Sequence, residues 1–242
     1  MKTLKFNPVF VVMGVLLCGP VWKALRPGPA TCSAQAPLYN PPIRGAPVSR
    51  VGGGTRGLED DRPSVIVLAP DHVGLTTHTQ PELYWYLSKD SHYPVSFSLN
   101  DATSIEPILE TVLPPPIKAG IHRIQLANYE IRLQPDVVYD WFINVVMSAD
   151  DPSPLVVAGG AIKYMGPDNA RAQHVNRALK AASDPTQAWR LYAASGIWYD
   201  AVAALSQRIR QTSQAAELLN QRTTLLKEIG ISEFPSDAKQ YP

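Results

Sequence analysis

The hydrophobic residues of this chain change period once. Up to Tyr164 they alternate with polar residues along short runs, and after Pro167 they recur every three or four positions. The first part can therefore bury its apolar face only as strands, and the second only as helices. Twenty-three prolines and fifteen glycines among 242 residues cut the first part into runs too short for a long-helix bundle. With 45% apolar and 18% charged residues the composition is that of a folded chain, which excludes disorder throughout.

The strand signals begin at residues 64–69 (SVIVLA), a short apolar run stopped by Pro70. In residues 82–88, Leu83, Trp85 and Leu87 share one face, and Val95, Phe97 and Leu99 repeat the alternation after a turn. Ile124 and Leu126 supply the inward side of another strand. The longest run is 137–147, whose odd positions Val137, Tyr139, Trp141, Ile143, Val145 and Met147 are all apolar, and residues 155–164 follow with Gly159 and Gly160 inside them. Turns every ten or so residues leave no room for crossover helices, so the pattern predicts an antiparallel sandwich. Leu133-x-Pro135-x-x-x-Tyr139 has the spacing of a tyrosine corner, which predicts a Greek-key sandwich of the immunoglobulin or fibronectin kind with Trp85 as its inter-sheet filler.

Four helical stripes follow. Ala172, Val175, Ala178, Leu179 and Ala182 form the first, and Ala188, Leu191, Tyr192 and Ser195 the second. Trp198, Ala201, Val202, Leu205 and Ile209 form the third, and Leu218, Leu219, Leu225, Leu226 and Ile229 the fourth. Asp184-Pro185 reads as an N-cap with proline at the first helical position, and Gly230 as a helix stop. Tyr192-x-x-x-Gly196-x-Trp198-x-x-Ala201 matches the turn of a tetratricopeptide hairpin; since arrays need about three such units, a small helical subdomain packed on the sandwich is expected instead of a free solenoid.

At the N-terminus, Lys2 and Lys5, the apolar run 9–17 and the small residues Ala30, Ser33, Ala34 and Ala36 stand in the order of a secretory signal. Cleavage after Ala34 fits best, because a cut after Ala36 would place Pro37 beyond the scissile bond. An uncleaved anchor would need about 20 apolar residues, and Pro20, Lys23 and Arg26 end the run earlier; lipidation at Cys18 would put bulky Leu17 where a small residue belongs. The expected layout is a signal peptide over 1–36, a Pro/Gly-rich arm over 37–63, a β-sandwich over 64–167, a helical subdomain over 168–231 and a tail over 232–242. Loss of 1–36 removes both Cys18 and Cys32 and leaves 18 basic against 21 acidic residues, a net charge of −3. No disulfide, thiol chemistry or nucleic-acid partner is expected of such a chain. Within the arm, Gly52, Gly54 and Gly57 spell G-x-G-x-x-G, but no buried strand or helix signal flanks them, so no dinucleotide site is expected.

The stretches VGGGTRG (51–57), LAPDHVGLTT (68–77), PELYWYL (81–87), AGIHRIQL (119–126), LQPDVVYDW (133–141) and LYAASGIWYDAVAAL (191–205) together resemble a cyanobacterial family known as domain of unknown function 928. The resemblance covers nearly all of the chain after the leader. It implies an exported protein without an assigned activity and supplies no catalytic residue. Family members tend to carry a cysteine shortly after GTRG, where this chain has Leu58, Glu59 and Asp60.

Chemistry-bearing residues are sparse. His72 and His78 with Asp71 are a conceivable metal group, and Asp136, Asp140, Asp150 and Asp151 are acidic near the ends of the long strand, but ordinary loop residues are the expectation for both. No G-x-S-x-G, H-E-x-x-H, P-loop or S-x-x-K string occurs, so neither a catalytic residue nor a cofactor nor a metal is expected. Opposite Trp85 and Trp141 stand Tyr84, Tyr86, Val138, Phe142 and Val146, a sheet face too apolar for open solvent. The helical segment is expected to cover it, in keeping with net charges of −5 over 37–167 and +3 over 168–231. The function expected is that of an exported, non-enzymatic binding or adaptor protein, periplasmic or extracellular, acting through protein contacts and without a membrane span after cleavage. The alternative is an envelope carbohydrate-binding module, with Tyr84, Tyr86, Phe142 and Trp198 as the candidate partner or ligand surface.

Overall fold

A computed structural model describes residues 37–41, 51–52, 63–101, 104–146, 148, 150, 154–212, 215–232 and 235. The leader, both cysteines, Gly54, Gly57, Met147, Asp151 and most of the arm and tail lie outside the described residues.

The first sheet is made of β1 (Val51–Gly52), β2 (Val65–Val67), β4 (Glu82–Leu87) and β7 (Gly120–Gln125), in the order β1-β2-β4-β7 with every pairing antiparallel. The second holds β3 (Gly74–Thr76), β5 (Val95–Asp101), β6 (Leu109–Leu113), β8 (Val138–Val146) and β9 (Pro154–Tyr164), in the order β3-β9-β8-β5-β6. One pairing departs from the antiparallel expectation: β3 runs parallel to β9. After Pro70 the chain leaves the first sheet and adds three residues to the edge of the second, a strand too short for alternation to reveal. β1 also went unread, and it places a strand at Gly52 where none was expected. Beyond β7, Leu126 sits in a 3-10 turn, Leu126–Tyr129, and not in the strand.

Register explains which residues form the core. Val65, Val67, Leu83, Trp85 and Leu87 of the first sheet face Val95, Phe97, Leu99, Trp141 and Ile143 of the second, and none of these ten side chains retains solvent exposure. At the start of β8 the Tyr139 hydroxyl accepts the backbone N–H of Gln134 at 3.0 Å, the bond that its spacing predicts.

The helices are α1 (Ala170–Ala181), α2 (Ala188–Ala194), α3 (Trp198–Gln211) and α4 (Ala216–Glu228). Asp184 accepts the Thr186 N–H ahead of α2, with Pro185 opening the 3-10 turn between them. Gly196 has φ 73°, the left-handed conformation that lets the chain reverse between α2 and α3 while the Ile197 N–H returns to the Tyr192 carbonyl at 2.9 Å. Gly230 ends α4 in the same way, with the Ile231 N–H on the Leu226 carbonyl at 3.0 Å.

These helices cover the outward side of the first sheet. Ile66, Tyr84, Tyr86 and Ile121 point away from the sandwich interior, yet all are buried, in one apolar cluster with Trp198, Ala201, Val202, Leu205 and Leu225. In a second, smaller cluster Ala172 and Val175 of α1 pack with Leu75 of β3, Met165 and Ile197. Residues 36–242 form one unit.

Tyr199 fastens the two parts most deeply. Its hydroxyl accepts the Trp141 indole N–H at 2.8 Å and donates to the Ala161 carbonyl at 2.9 Å, joining α3 to two strands of the second sheet. Gly74 makes the approach feasible, since a Cβ there would lie 2.6 Å from the Tyr199 ring. Tyr199→Phe keeps the ring and leaves a buried indole N–H and a buried carbonyl without this partner, so it is expected to destabilise the chain by about 2–4 kcal/mol in urea unfolding. A loss below about 0.5 kcal/mol, within the range of an ordinary surface substitution, would refute the anchor.

Candidate functional site

The four aromatic residues read as a surface do not form one. Tyr84 and Tyr86 lie on the outward side of the first sheet, whereas Phe142 lies on that of the second, so β4 and β8 present them to opposite sides of the sandwich. Trp198 is fully buried, its indole N–H donating to the Leu68 carbonyl at 2.8 Å and its ring set edge-on against Tyr39. The Tyr84 hydroxyl is enclosed between Glu82, to which it donates, and the Arg210 guanidinium, which donates to it at 3.1 Å. Burial, then the neighbouring Glu82, pushes the Tyr84 hydroxyl up to about 12. Three of the four rings are thus closed to a ligand, and of the four only the half-buried Phe142 reaches solvent.

Phe142 occupies the middle of an open face. Cross-strand register sets Val157, Asn144, Ser96 and Val112 in one row and Gly159, Phe142, Ser98 and Glu110 in the next. The Phe142 ring lies over Gly159, where an added Cβ would come within 2.5 Å of it, and Asn144 Nδ2 donates to Ser96 Oγ at 3.1 Å. Val112 and Val157 remain 41% exposed at the two ends of the first row. The other large apolar side chains exposed among the described residues, Tyr93, Ile105 and Ile108, sit in the connections flanking β5.

A second feature, which leaves no mark on the hydrophobic period, lies between the residues before β4 and the helices α2 and α3. Asp200 is buried in the first turn of α3, and its carboxylate accepts the Thr76 hydroxyl at 2.5 Å, the Thr77 N–H at 2.9 Å and the Thr77 hydroxyl. His78 Nδ1 adds a contact at 3.2 Å. The hydrogen bond to Asp200 holds the His78 imidazole above its ordinary value, against the lowering effect of burial. Next to this cluster, Glu82 accepts Arg123 at 2.8 Å and Gln125 at 2.9 Å. Between them opens a cavity of about 400 Å³ lined by His78, Gln80, Glu82, Tyr192, Asp200 and Gln207 among others. The sequence signal was present but weak: a lone acid in the first turn of a helix among Trp198, Tyr199, Ala201 and Val202, and the polar triplet Thr76-Thr77-His78 straight after Leu75.

His72 has different partners. The Tyr39 hydroxyl lies 2.8 Å from its Nε2 and the Asp71 carboxylate 3.3 Å from its Nδ1. Tyr39 belongs to the arm, whose backbone N–H groups at Leu38 and Tyr39 donate to the Glu228 carboxylate at 2.8 and 2.7 Å; the arm is therefore docked at this point. Burial raises the Tyr39 hydroxyl well above its usual range. His72 and His78 do not converge, and among the described residues no group of three or more His, Cys, Asp or Glu side chains is placed to hold a metal ion. Asp136 faces Lys163 at 3.9 Å, and Asp140 is exposed on the open face.

A family model described as Domain of Unknown Function (DUF928) matches residues 51–238, through both sheets and all four helices. The chain belongs to this family. No curated protein matches the chain. No solved structure matches it either. In this DUF928 chain, no helix among the described residues is long and apolar enough to cross a membrane.

The His78–Asp200 pair makes a pH-dependent contribution of known sign. Because the folded-state value is raised, the contribution is fully present below the ordinary imidazole value of about 6.5 and is lost as pH rises through the folded value. The melting-temperature gap between wild type and His78→Gln is therefore expected to be widest near about pH 5.5 and to close at alkaline pH. A gap that does not vary between these limits would contradict the pairing.

Proposed function

We propose that this is an exported, non-enzymatic binding protein of the cell envelope, which engages a protein partner through the outward face of its second sheet. The observation that carries the reading is the contrast between the two sheets. The helices bury the outward side of the first, while the second leaves Val112, Val157 and Phe142 uncovered among serine and asparagine side chains. Small apolar side chains spread over a hydrogen-bonded polar surface suit a reversible protein contact. Asp140 and Glu110 on the same face favour a partner with basic residues at the matching positions. Export rests on the leader: Lys2 and Lys5, the apolar run and the small residues around Ala34.

The sandwich itself is assigned to the immunoglobulin-like class. The two strand orders, the short edge strand β3 switching sheets to run parallel with β9, and the Tyr139 hydroxyl on the Gln134 backbone support that assignment. The α2–α3 pair is assigned to the tetratricopeptide-like hairpins, with Gly196 at the turn and Ala193 and Ala201 buried in both helices. The carbohydrate-module alternative used Tyr84, Tyr86 and Trp198 as stacking rings, and their burial leaves it without those rings.

A photo-crosslinking residue placed at 112 or 157 in the full chain and expressed in the native host tests the proposal. Both positions are expected to give covalent adducts with one envelope protein, and the same residue at exposed position 180 on α1 is expected to give none. Adducts at 180 but not at 112 or 157 would contradict the proposed face, and a chain retaining Met1 in the cytoplasm would contradict export.

A further inference from the structure

The cavity between the β3–β4 connection and α2–α3 has no part in the open sheet face. Its volume, about 400 Å³, falls at the lower end of small-molecule sites, which run from about 300 to 1,000 Å³. The space exists because the helices present Ala188, Ala203 and Ala204 to it, where longer side chains would close it. Its inner end is built from rigid parts. Tyr199 is held by Trp141 and Ala161, and Asp200 by Thr76 and Thr77.

The chemistry of the lining is selective. Both carboxylates are already spent on protein donors, Asp200 on the two threonines and His78, and Glu82 on Arg123, Gln125 and Tyr84. An ammonium group entering the cavity therefore meets carboxylate oxygens that are already occupied, and an anion is set against two negative charges that hold their own counter-ions. The hydrogen-bonding groups left to a ligand are the Gln80 and Gln207 amides and His78 Nε2, whose ring is oriented by its Nδ1 contact with Asp200, while the Tyr192 hydroxyl is shared with Thr77. The amides both donate and accept, and His78 is balanced by the Asp200 carboxylate beside it, so the set offers both kinds of bond without adding net charge, which is the pattern that alcohol groups match. Alanine and proline surfaces between them suit the C–H faces of the same molecule.

We propose that this cavity binds a neutral polyhydroxylated small molecule the size of one or two sugar rings. The site is independent of the partner surface proposed above, and it differs from an aromatic stacking platform because recognition is by amides and imidazole inside a pocket.

Side-chain NMR of the full chain, labelled at histidine and glutamine, tests this with glucose, galactose, N-acetylglucosamine, sucrose and trehalose as probes, and with glucosamine and glucuronate as charged counterparts. At least one neutral sugar is expected to move the His78 and Gln80 or Gln207 signals saturably, and the charged counterparts are expected to bind no more tightly. Ala203→Leu, which fills the cavity, is expected to weaken that binding at least tenfold. Gln207→Leu, on an exposed helix position, is expected to weaken it several-fold and keeps the test decisive where Ala203→Leu fails to fold. The absence of any saturable shift with the neutral sugars, tighter binding of a charged sugar, or binding unchanged in the folded variants would each overturn the proposal.

Discussion

One hydroxyl connects the helical part of this protein to its sheets. Tyr199 reaches from α3 into the sandwich, where it takes the Trp141 indole N–H and gives its own proton to the Ala161 carbonyl. All three groups are buried, and without one another each would carry the desolvation cost of an unpaired polar group. The same helical turn places Trp198 against Leu68 and Asp200 against Thr76 and Thr77, so three consecutive side chains lock α3 onto β2, β3 and the second sheet. The outward side of the first sheet is consequently covered, and the outward side of the second is consequently the free one. The family match, which runs from residue 51 to residue 238 through both parts, agrees with their being a single unit.

This coupling explains why the structure was only partly legible in the sequence. The period change at Pro167 marks the boundary between sheets and helices, because alternation and three-to-four spacing each describe one face of one element. Tyr139, Asp184, Gly196 and Gly230 were readable for a related reason: each acts on backbone within about five residues. Long-range relations were not readable in the same way. Tyr84 and Phe142 look equivalent as outward aromatic residues of alternating strands, and only the assignment of β4 and β8 to different sheets separates them. β3 carries no alternation because it has three residues, and its pairing with β9 spans almost ninety positions.

The cluster around Asp200 shows the limit most clearly. Its partners Thr76, Thr77 and His78 lie more than 120 positions away, in a segment with the composition of a loop. An isolated acid among the apolar residues of a helix's first turn is the local sign that something must satisfy it, since a buried carboxylate without partners would be strongly unfavourable. The arm gave a similar sign. Tyr39, its one aromatic residue, docks between His72 and Trp198, while the neighbouring N–H groups reach Glu228 at the end of α4. In both places a single residue of the wrong polarity for its surroundings marked a tertiary contact.

The main consequence of this coupling is that sheets and helices unfold as one cooperative body. It is tested most directly by 19F NMR of the chain with fluorinated tryptophan during urea unfolding, because Trp85 and Trp141 report on the sandwich while Trp189 and Trp198 report on the helices, and all four are fully buried. The four native resonances are expected to disappear with one midpoint, and Tyr199→Phe is expected to move all four together. Loss of the Trp189 and Trp198 signals at a lower urea concentration than those of Trp85 and Trp141 would show two separable parts and contradict it.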